Sequence, residues 1–384
     1  MPGKVTAPPR RLAILLRHLD TGGVERHLLH LARGAARAGV EVDVLTATAP
    51  GPAAPPWPEG VGRVSLPAAS DRARRRALAA YLDRRRPAVL LCAKEPDWGL
   101  ALAARRAAQA PVRLAMLAVT TPSAKLGQRR GLRRWWRGRL WGRCYRRADL
   151  QLAVSRGVAA DVAALAGLAP GAVRVLPNPT LPPELERLAR APVDHPWLDG
   201  ERQGPLILGM GRLARAKDFP TLIRAFACLE RPDARLVILG EGRQRPRLER
   251  LVRALGLAGR VRLAGHQPNP YAWLARADLF VLSSRWEGMP NALIEALALG
   301  VPVVATDCPS GPAELLQGGR LGPLVPVGDP AALAAAMAGV LAAPPPAEAL
   351  RAAAGPYRLE CAARAYLAAL GLAEGEQGVE KHLS

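Results

Sequence analysis

Two short stretches of this sequence put charged side chains where a phosphate and a sugar would need them. In Gly211-Arg212-Leu213-Ala214-Arg215-Ala216-Lys217-Asp218, which follows the apolar run Leu206 to Met210, Arg212 and Lys217 flank a loop. A guanidinium presents a planar fork of donors and an ammonium a compact point charge, a combination that suits a diphosphate. In a sequence this rich in arginine, one Arg and one Lys would mean little. Their place just past a strand-like run makes them candidates, because open α/β sheets bind ligands outside the carboxyl ends of their strands. The second stretch is Ser283-Ser284-Arg285-Trp286-Glu287-Gly288-Met289-Pro290-Asn291, continued by Ala292-Leu293-Ile294-Glu295. Here Gly288 lets the backbone approach a ligand, and a helix starting at Asn291 aims N–H donors at phosphate or hydroxyl oxygens. Glu287 in the loop and Glu295 two turns into the helix are spaced to face one cleft. Carboxylates accept hydrogen bonds from vicinal diols, so one suits a sugar and the other a ribose. Taken alone, Glu295 reads as surface charge. It sits, however, inside the apolar stretch Ala292 to Leu299, where a charge needs a partner.

Two further features are weaker. Gly22-Gly23 lies between the first apolar run and the first helical stretch, where a backbone can approach an anion; a tight turn explains it equally well. The absence of a GxGxxG pattern disfavours an ordinary dinucleotide site. Thr306-Asp307-Cys308-Pro309-Ser310-Gly311-Pro312 follows another apolar run and could line the same cleft or form a plain turn.

These loops need elements to hold them. Short apolar runs at Leu12–Leu16, Val42–Leu45, Ala88–Cys92, Val112–Leu117, Leu150–Val154 and Val173–Leu176 alternate with longer stretches of helical periodicity. The second half repeats the pattern, with strands expected at Leu206–Met210, Leu236–Leu239, Arg260–Ala264, Leu279–Ser283 and Pro302–Ala305. Strands alternating with helices imply doubly wound parallel sheets. Between Pro177 and Pro205 prolines are dense enough to break regular structure. The expected organisation is therefore α/β with two Rossmann-like domains: 1–182, a Pro-rich linker at 183–204, a second domain at 205–355, and a C-terminal helix with a polar tail at 356–384. Asp218 is expected to cap the helix that follows it, with Pro220 in the first turn.

The 384 residues are enough for two cores, and 49% hydrophobic content with only 4% aromatic points to aliphatic α/β packing. The formal charge of +22 favours anionic partners without choosing among nucleotides, nucleic acid and acidic lipids. Five scattered cysteines (Cys92, Cys144, Cys228, Cys308, Cys361) form no CxxC pair, so free thiols in a reducing compartment are expected. The short polar start and the brief run Leu12–Leu16 lack the length of a signal peptide or membrane span, which points to the cytoplasm. Lys125 to Arg147 is densely basic with Trp135, Trp136, Trp141 and Tyr145 interleaved. It fits a membrane surface, a nucleic acid, or simply a solvated helix whose aromatics pack inward.

The Glu287-x7-Glu295 spacing, the Gly211-Arg212-Leu213…Lys217-Asp218 stretch and the run from Gly300 to Glu314 resemble the family 4 (group 1) retaining glycosyltransferases of GT-B fold, in which two Rossmann-like domains face each other across a cleft. The opening Leu19-Asp20-Thr21-Gly22-Gly23-Val24-Glu25-Arg26 is similar to that family's donor–acceptor loop. The likeness spans nearly the whole chain and is stronger in its second half. It implies that Arg212 and Lys217 neutralise the donor diphosphate and that Glu287 contacts the transferred sugar. It also implies that amides of Gly288, Met289 and Asn291 around Pro290 approach both, and that Glu295 holds the ribose. Gly22, Gly23, Gly211 and the segment around His266 would complete the donor site, and the last helix would return to the first domain. One departure matters: the stretch Ala118-Val119-Thr120-Thr121-Pro122 lacks a histidine that many members carry, and His18 and His27 do not obviously replace it.

The implied reaction moves a sugar from a nucleoside diphosphate to an acceptor hydroxyl with retention, in cell-surface polysaccharide, lipopolysaccharide or glycolipid synthesis. No cofactor or metal is expected, since no Asp-x-Asp motif stands out and Arg212 and Lys217 would carry the charge. Expected partners are the nucleotide sugar, a glycan or lipid-linked glycan acceptor, and an anionic membrane surface met through Lys125 to Arg147, with no nucleic acid. That places the protein in the cytoplasm on the inner face of the cell membrane. The alternatives are a nucleotide-sugar epimerase or phosphorylase of the same architecture, a relative that binds without catalysing, and, in another class, a basic nucleic-acid-binding protein.

Overall fold

Parallel neighbours in a sheet need a long crossover, and a helix supplies it; the alternation of short apolar and longer amphipathic runs therefore builds layered βα units. The computed structural model describes residues 10–19, 22–48, 56–67, 70–127, 132–198 and 204–373. Asp20 and Thr21 of the opening loop, residues 128–131 of the basic segment, 199–203 of the proline-rich stretch, and both chain ends lie outside the described residues.

The chain divides into two units, one running to Pro179 and resuming at Leu359, the other covering Thr180–Arg358. The first unit holds β1 (Arg11–Leu15), β2 (Glu41–Thr46), β3 (Val61–Ser65), β4 (Val89–Cys92), β5 (Arg113–Ala118), β6 (Leu150–Ala153) and β7 (Arg174–Val175). They lie in the order β3-β2-β1-β4-β5-β6-β7 with every neighbouring pair parallel. The second holds β8 (Leu206–Met210), β9 (Arg235–Leu239), β10 (Val261–Gly265), β11 (Leu279–Leu282), β12 (Val303–Thr306) and β13 (Leu324–Val325), in the order β10-β9-β8-β11-β12-β13, again all parallel. In each sheet the first strand sits inside, and the chain winds away from it first to one side and then to the other. The loops after β1 and β4, and after β8 and β11, therefore part at a topological switch point, where such sheets leave a crevice.

Central strands are apolar on both faces because helices cover both; β4, β11 and β12 are fully buried. In the second unit Ile207, Phe219, Leu222, Phe226, Ile238, Leu248, Val281, Leu333 and Met337 form one core. The strands β3 and β13 were not anticipated from the sequence. β3 is an edge strand whose middle residues face outward, and β13 is only two residues long, so neither carries an apolar run.

The described part of the expected linker, residues 183–198, falls within the second unit, which begins at Thr180. It forms a short helix, Leu185–Ala189, whose last carbonyls accept from side chains of the same unit: Asn269 Nδ2 donates to Leu188 O at 2.8 Å and Arg276 Nη1 to Ala189 O at 3.4 Å. Prolines forbid a long helix there but leave acceptors for such docking. The last helix, Leu359–Ala369, belongs to the first unit and lies on the helix Gly23–Arg37. Bare Gly34 makes that approach possible, since a Cβ there would come within 2.5 Å of Ala363 Cβ. Among the described residues no single helix is long and apolar enough to cross a membrane.

Candidate active site

The loop after β8 begins at Gly211, whose φ of +152° brings the backbone against the stem of Lys217; a Cβ would sit 2.9 Å from Lys217 Cε. Lys217 is thereby laid across the switch point toward the loop after β11. Its Nζ donates to Glu287 Oε1 at 2.6 Å, and Ser284 Oγ donates to the same oxygen at 2.6 Å. Both charged side chains are largely enclosed, 22% and 12% exposed. The two loops are also tied by their backbones. Arg285 N donates to Ala216 O at 2.7 Å, and Ser283 Oγ to Lys217 O at 2.8 Å.

The loop after β12 closes the site from the third side. Thr306 Oγ1 donates to Ser284 O at 2.6 Å, and Glu287 N donates to Pro309 O at 3.1 Å. Ser310 and Gly311 both take left-handed conformations, φ +66° and +89°. Gly311 is required there: a Cβ would lie 2.7 Å from Pro290 Cδ and 2.9 Å from Gly288 O. Burial first, then the nearby Glu287 charge, push the Cys308 thiol up to about 12. A thiol raised that far stays protonated at neutral pH, which disfavours it as a nucleophile.

The structure thus gathers Lys217, Glu287, Gly211 and the buried Gly288-Met289-Pro290 turn into one place. Arg212 stands exposed on the rim of the same loop. Asn291 opens the helix Asn291–Leu299, its Oδ1 accepting from Thr180 Oγ1 at 3.1 Å, and no side chain caps that helix. Its first amides are those that an anion at the loop would meet. Glu295 lies fully buried on the same helix. His266 is exposed at the end of β10, the outermost strand on its side of the sheet.

Asp218 corrects the capping expectation. It occupies the N-cap position of the helix Phe219–Ala227 but in a left-handed conformation, φ +45°, with no side-chain cap bond. Its carboxylate instead accepts from Thr221 Oγ1 at 3.0 Å and Arg285 Nη1 at 3.1 Å. Ser284 and Thr306, to which the sequence assigns no role, tie the three loops together. Their polarity at the ends of fully apolar strands was the signal.

In the first unit Gly22 is the N-cap of Gly23–Arg37, without a side-chain cap. The anion beside it is the chain's own Glu25: a Cβ on Gly22 would lie 2.3 Å from Glu25 Oε2, and Glu25 is held by Lys94. His27 is no substitute for the missing histidine. It is buried against Tyr366, Nε2 to Oη 3.1 Å, and burial drives its pKa down to about 3, so it is a neutral packing residue. Among the described residues no group of His, Cys, Asp and Glu is placed to hold a metal ion.

The basic segment is two helices, Pro122–Gly127 and Leu132–Arg146, and its aromatics divide. Trp141 and Tyr145, four residues apart, pack on buried Trp98 with ring centroids 6.1 and 4.6 Å away. Trp135, Trp136 and Leu140 face outward at 52%, 62% and 55% exposure, with Arg139 over the Trp135 ring. One face anchors the helix and the other offers apolar and basic groups together.

Residues 204–343 match the family model described as glycosyl transferases group 1, and residues 21–180 match that of glycosyltransferase family 4. A lipopolysaccharide core biosynthesis glycosyltransferase of Rhizobium meliloti is 39% identical over 150 residues, 39% of this chain and 43% of that protein. A Campylobacter jejuni N-acetylgalactosaminyltransferase acting, by its name, on a diphospho-undecaprenol substrate is 37% identical over 183 residues, 48% of each chain. The matched segments span less than half the length of these curated relatives. Among solved structures, the lipopolysaccharide outer core galactosyltransferase WaaB superposes with a TM-score of 0.73 at 18% identity, covering 94% of this chain and 99% of that one. The Anabaena HepE protein in complex with UDP gives 0.76 at 19% identity, covering 94% and 99%. The fold is shared with both.

Proposed function

We propose, from the premise that this chain belongs to the group 1 glycosyltransferases, that it moves a sugar from a nucleoside diphosphate to an acceptor hydroxyl in the assembly of a cell-surface glycan. The observation that carries the proposal is the Lys217–Glu287 contact of 2.6 Å at the switch point of the second sheet. An ammonium and a carboxylate held side by side suit a substrate that has a diphosphate next to a polyol. Lys217 and Arg212 take the diphosphate oxygens, the uncapped start of Asn291–Leu299 adds N–H dipoles, and Glu287 accepts from sugar hydroxyls. Glu295 takes the ribose hydroxyls.

In the reaction the bond from the anomeric carbon to the β-phosphate oxygen breaks, and charge builds on the leaving diphosphate while the sugar becomes oxocarbenium-like. The acceptor oxygen bonds to the anomeric carbon on the same face, which retains configuration, and its proton passes to the leaving phosphate. Fixed cations and amide dipoles stabilise that charge without reorganising, and the reading needs no metal ion or histidine. The likeness to proteins of lipopolysaccharide and lipid-linked glycan synthesis supports an acceptor of that class. The outward Trp135, Trp136 and Leu140 with their basic neighbours supply a surface by which the protein would sit on an anionic membrane.

A thermal-shift screen of UDP, GDP, ADP and their sugars tests the donor site, because a ligand of the native state raises its melting temperature. At least one nucleotide sugar should stabilise the wild type and fail to stabilise Lys217→Met. No shift with any of them rejects the reading. Binding to anionic liposomes at low salt, lost on Trp135→Ser/Trp136→Ser, tests the membrane surface. Equal binding by that variant rejects it.

A further inference from the structure

We propose that the second unit carries a second anion site, a cavity of about 580 Å³ that takes a small, multiply charged phosphate compound. The cavity opens between the first turns of the helices Phe219–Ala227 and Arg245–Ala254, with the β8 and β11 loops and Val327-Gly328 completing its walls. Neither Lys217 nor Glu287 lines it, so it is not the diphosphate site described above. Its volume falls within the roughly 300–1,000 Å³ of small-ligand sites.

Charge identifies the ligand. Arg215, Arg224, Arg247 and Arg285 reach this space from four separate segments. Arg285 pairs with Asp218, the sole acid of the lining. That carboxylate is already shared with Thr221. Arg215, Arg224 and Arg247 make no ion pair among the described residues. All four arginines are exposed; like charges lining one space repel one another, and an anion among them relieves the repulsion.

The backbone adds to the same field. Neither bordering helix has a side-chain cap: the Asp218 carboxylate is taken by Thr221 Oγ1 and Arg285 and bonds no amide of the first turn, and Gln244 makes no cap bond. Both helices are long enough to present a positive end, and their first turns form the cavity wall. Of the apolar lining residues Phe219 and Leu248 are buried in the core, which leaves only the small surfaces of Ala214, Pro220 and Val327 and disfavours a lipid tail or an aromatic drug-like ligand. Several guanidinium forks around a compact polar volume match phosphate oxygens, whether on a sugar phosphate or on an inorganic polyphosphate.

Calorimetric titration of the whole chain tests the proposal, with inorganic pyrophosphate in one arm and ribose 5-phosphate in the other. The wild type should bind pyrophosphate at two sites. Lys217→Met should keep one of them, and Arg224→Glu/Arg247→Glu the other. Ribose 5-phosphate binding should weaken at least tenfold in the charge-reversed protein, equivalent to about 1.4 kcal/mol, and stay unchanged in Lys217→Met. Pyrophosphate binding alone, without ribose 5-phosphate binding, would assign the site to a polyphosphate. If charge reversal disturbs the fold, Arg224→Gln/Arg247→Gln gives the same comparison. Two results overturn the site: arginine variants that bind both compounds like the wild type, or a single wild-type site that disappears in Lys217→Met. Loss of nucleotide-sugar stabilisation with arginine-dependent binding intact would count against the donor reading only.

Discussion

Replacing Lys217 by Met separates chemistry from folding. Methionine keeps most of the stem that lies over Gly211 and removes only the ammonium. In the wild type that ammonium is 2.6 Å from Glu287 Oε1, with the two side chains 22% and 12% exposed. The gross attraction at this distance is roughly 6 kcal/mol with an effective dielectric constant near 20. Desolvation and residual solvent screening offset most of it, and Ser284 continues to donate to the same oxygen, so the net loss of stability should be on the order of 1 kcal/mol. The melting temperature should fall by about 2–4 °C. The kinetic effect should be far larger, because in the proposed reaction the ammonium lies where charge appears on the leaving diphosphate. Losing one such preorganised group costs about 3–4 kcal/mol of barrier, a drop on the order of 10²–10³ in turnover. The assay is release of nucleoside diphosphate from the donor found in the thermal-shift screen, with a melting curve in parallel. A folded Lys217→Met protein that turns over as fast as the wild type would refute both the site and the reasoning behind it.

Three other perturbations test separate parts of the description. Gly311→Ala forces a side chain into a left-handed turn and against Gly288 O, so it should cost at least about 1–2 kcal/mol from backbone strain alone and also weaken donor binding by shifting the Gly288 turn. Chemical denaturation and nucleotide titration read the two effects, and unchanged stability would contradict the packing. Glu295→Ala should weaken nucleotide affinity in calorimetry; equal affinity would dismiss the ribose role. The His27 pKa of about 3 in the folded protein lies below the ordinary 6.5, so below pH 6.5 the unfolded chain binds a proton that the folded chain refuses. Stability should therefore be full above pH 6.5 and fall toward pH 3, by up to about 1.4 kcal/mol per pH unit from this group. Melting temperatures measured from pH 7 to pH 5 should decline less steeply in His27→Gln, and parallel declines would exclude His27 as the cause.

Much of this site could be read along the chain because each contributing loop follows a strand with an unbroken apolar run. Leu206–Met210, Leu279–Leu282 and Val303–Thr306 announce themselves, and Gly211 and Gly311 mark where the backbone takes a positive φ. What could not be read is adjacency. That Lys217 meets Glu287 depends on β8 lying beside β11, which follows from winding order and not from any local pattern. The same limit explains Asp218. Its position at a helix start suggested a cap, but Arg285, distant in sequence, claims the carboxylate. Trp141 and Tyr145 share a helical face by their spacing, yet only the arrival of Trp98 shows that this face is the inner one. The arginine-lined cavity draws on four segments and left no trace in the sequence beyond a general excess of positive charge.

The return of Leu359–Ala369 to the first unit sets an order on the protein's making. His27 finds Tyr366, Gly34 finds Ala363, and Arg113 finds Leu370 O, so helix and strand positions near the start wait for residues more than 250 places downstream. The intervening Thr180–Arg358 is contiguous and has its own core. The first unit, by contrast, cannot close until residues beyond the second unit have been made. Until then the face of Gly23–Arg37 that Leu359–Ala369 covers stays open, and transiently open apolar surface of that kind favours aggregation.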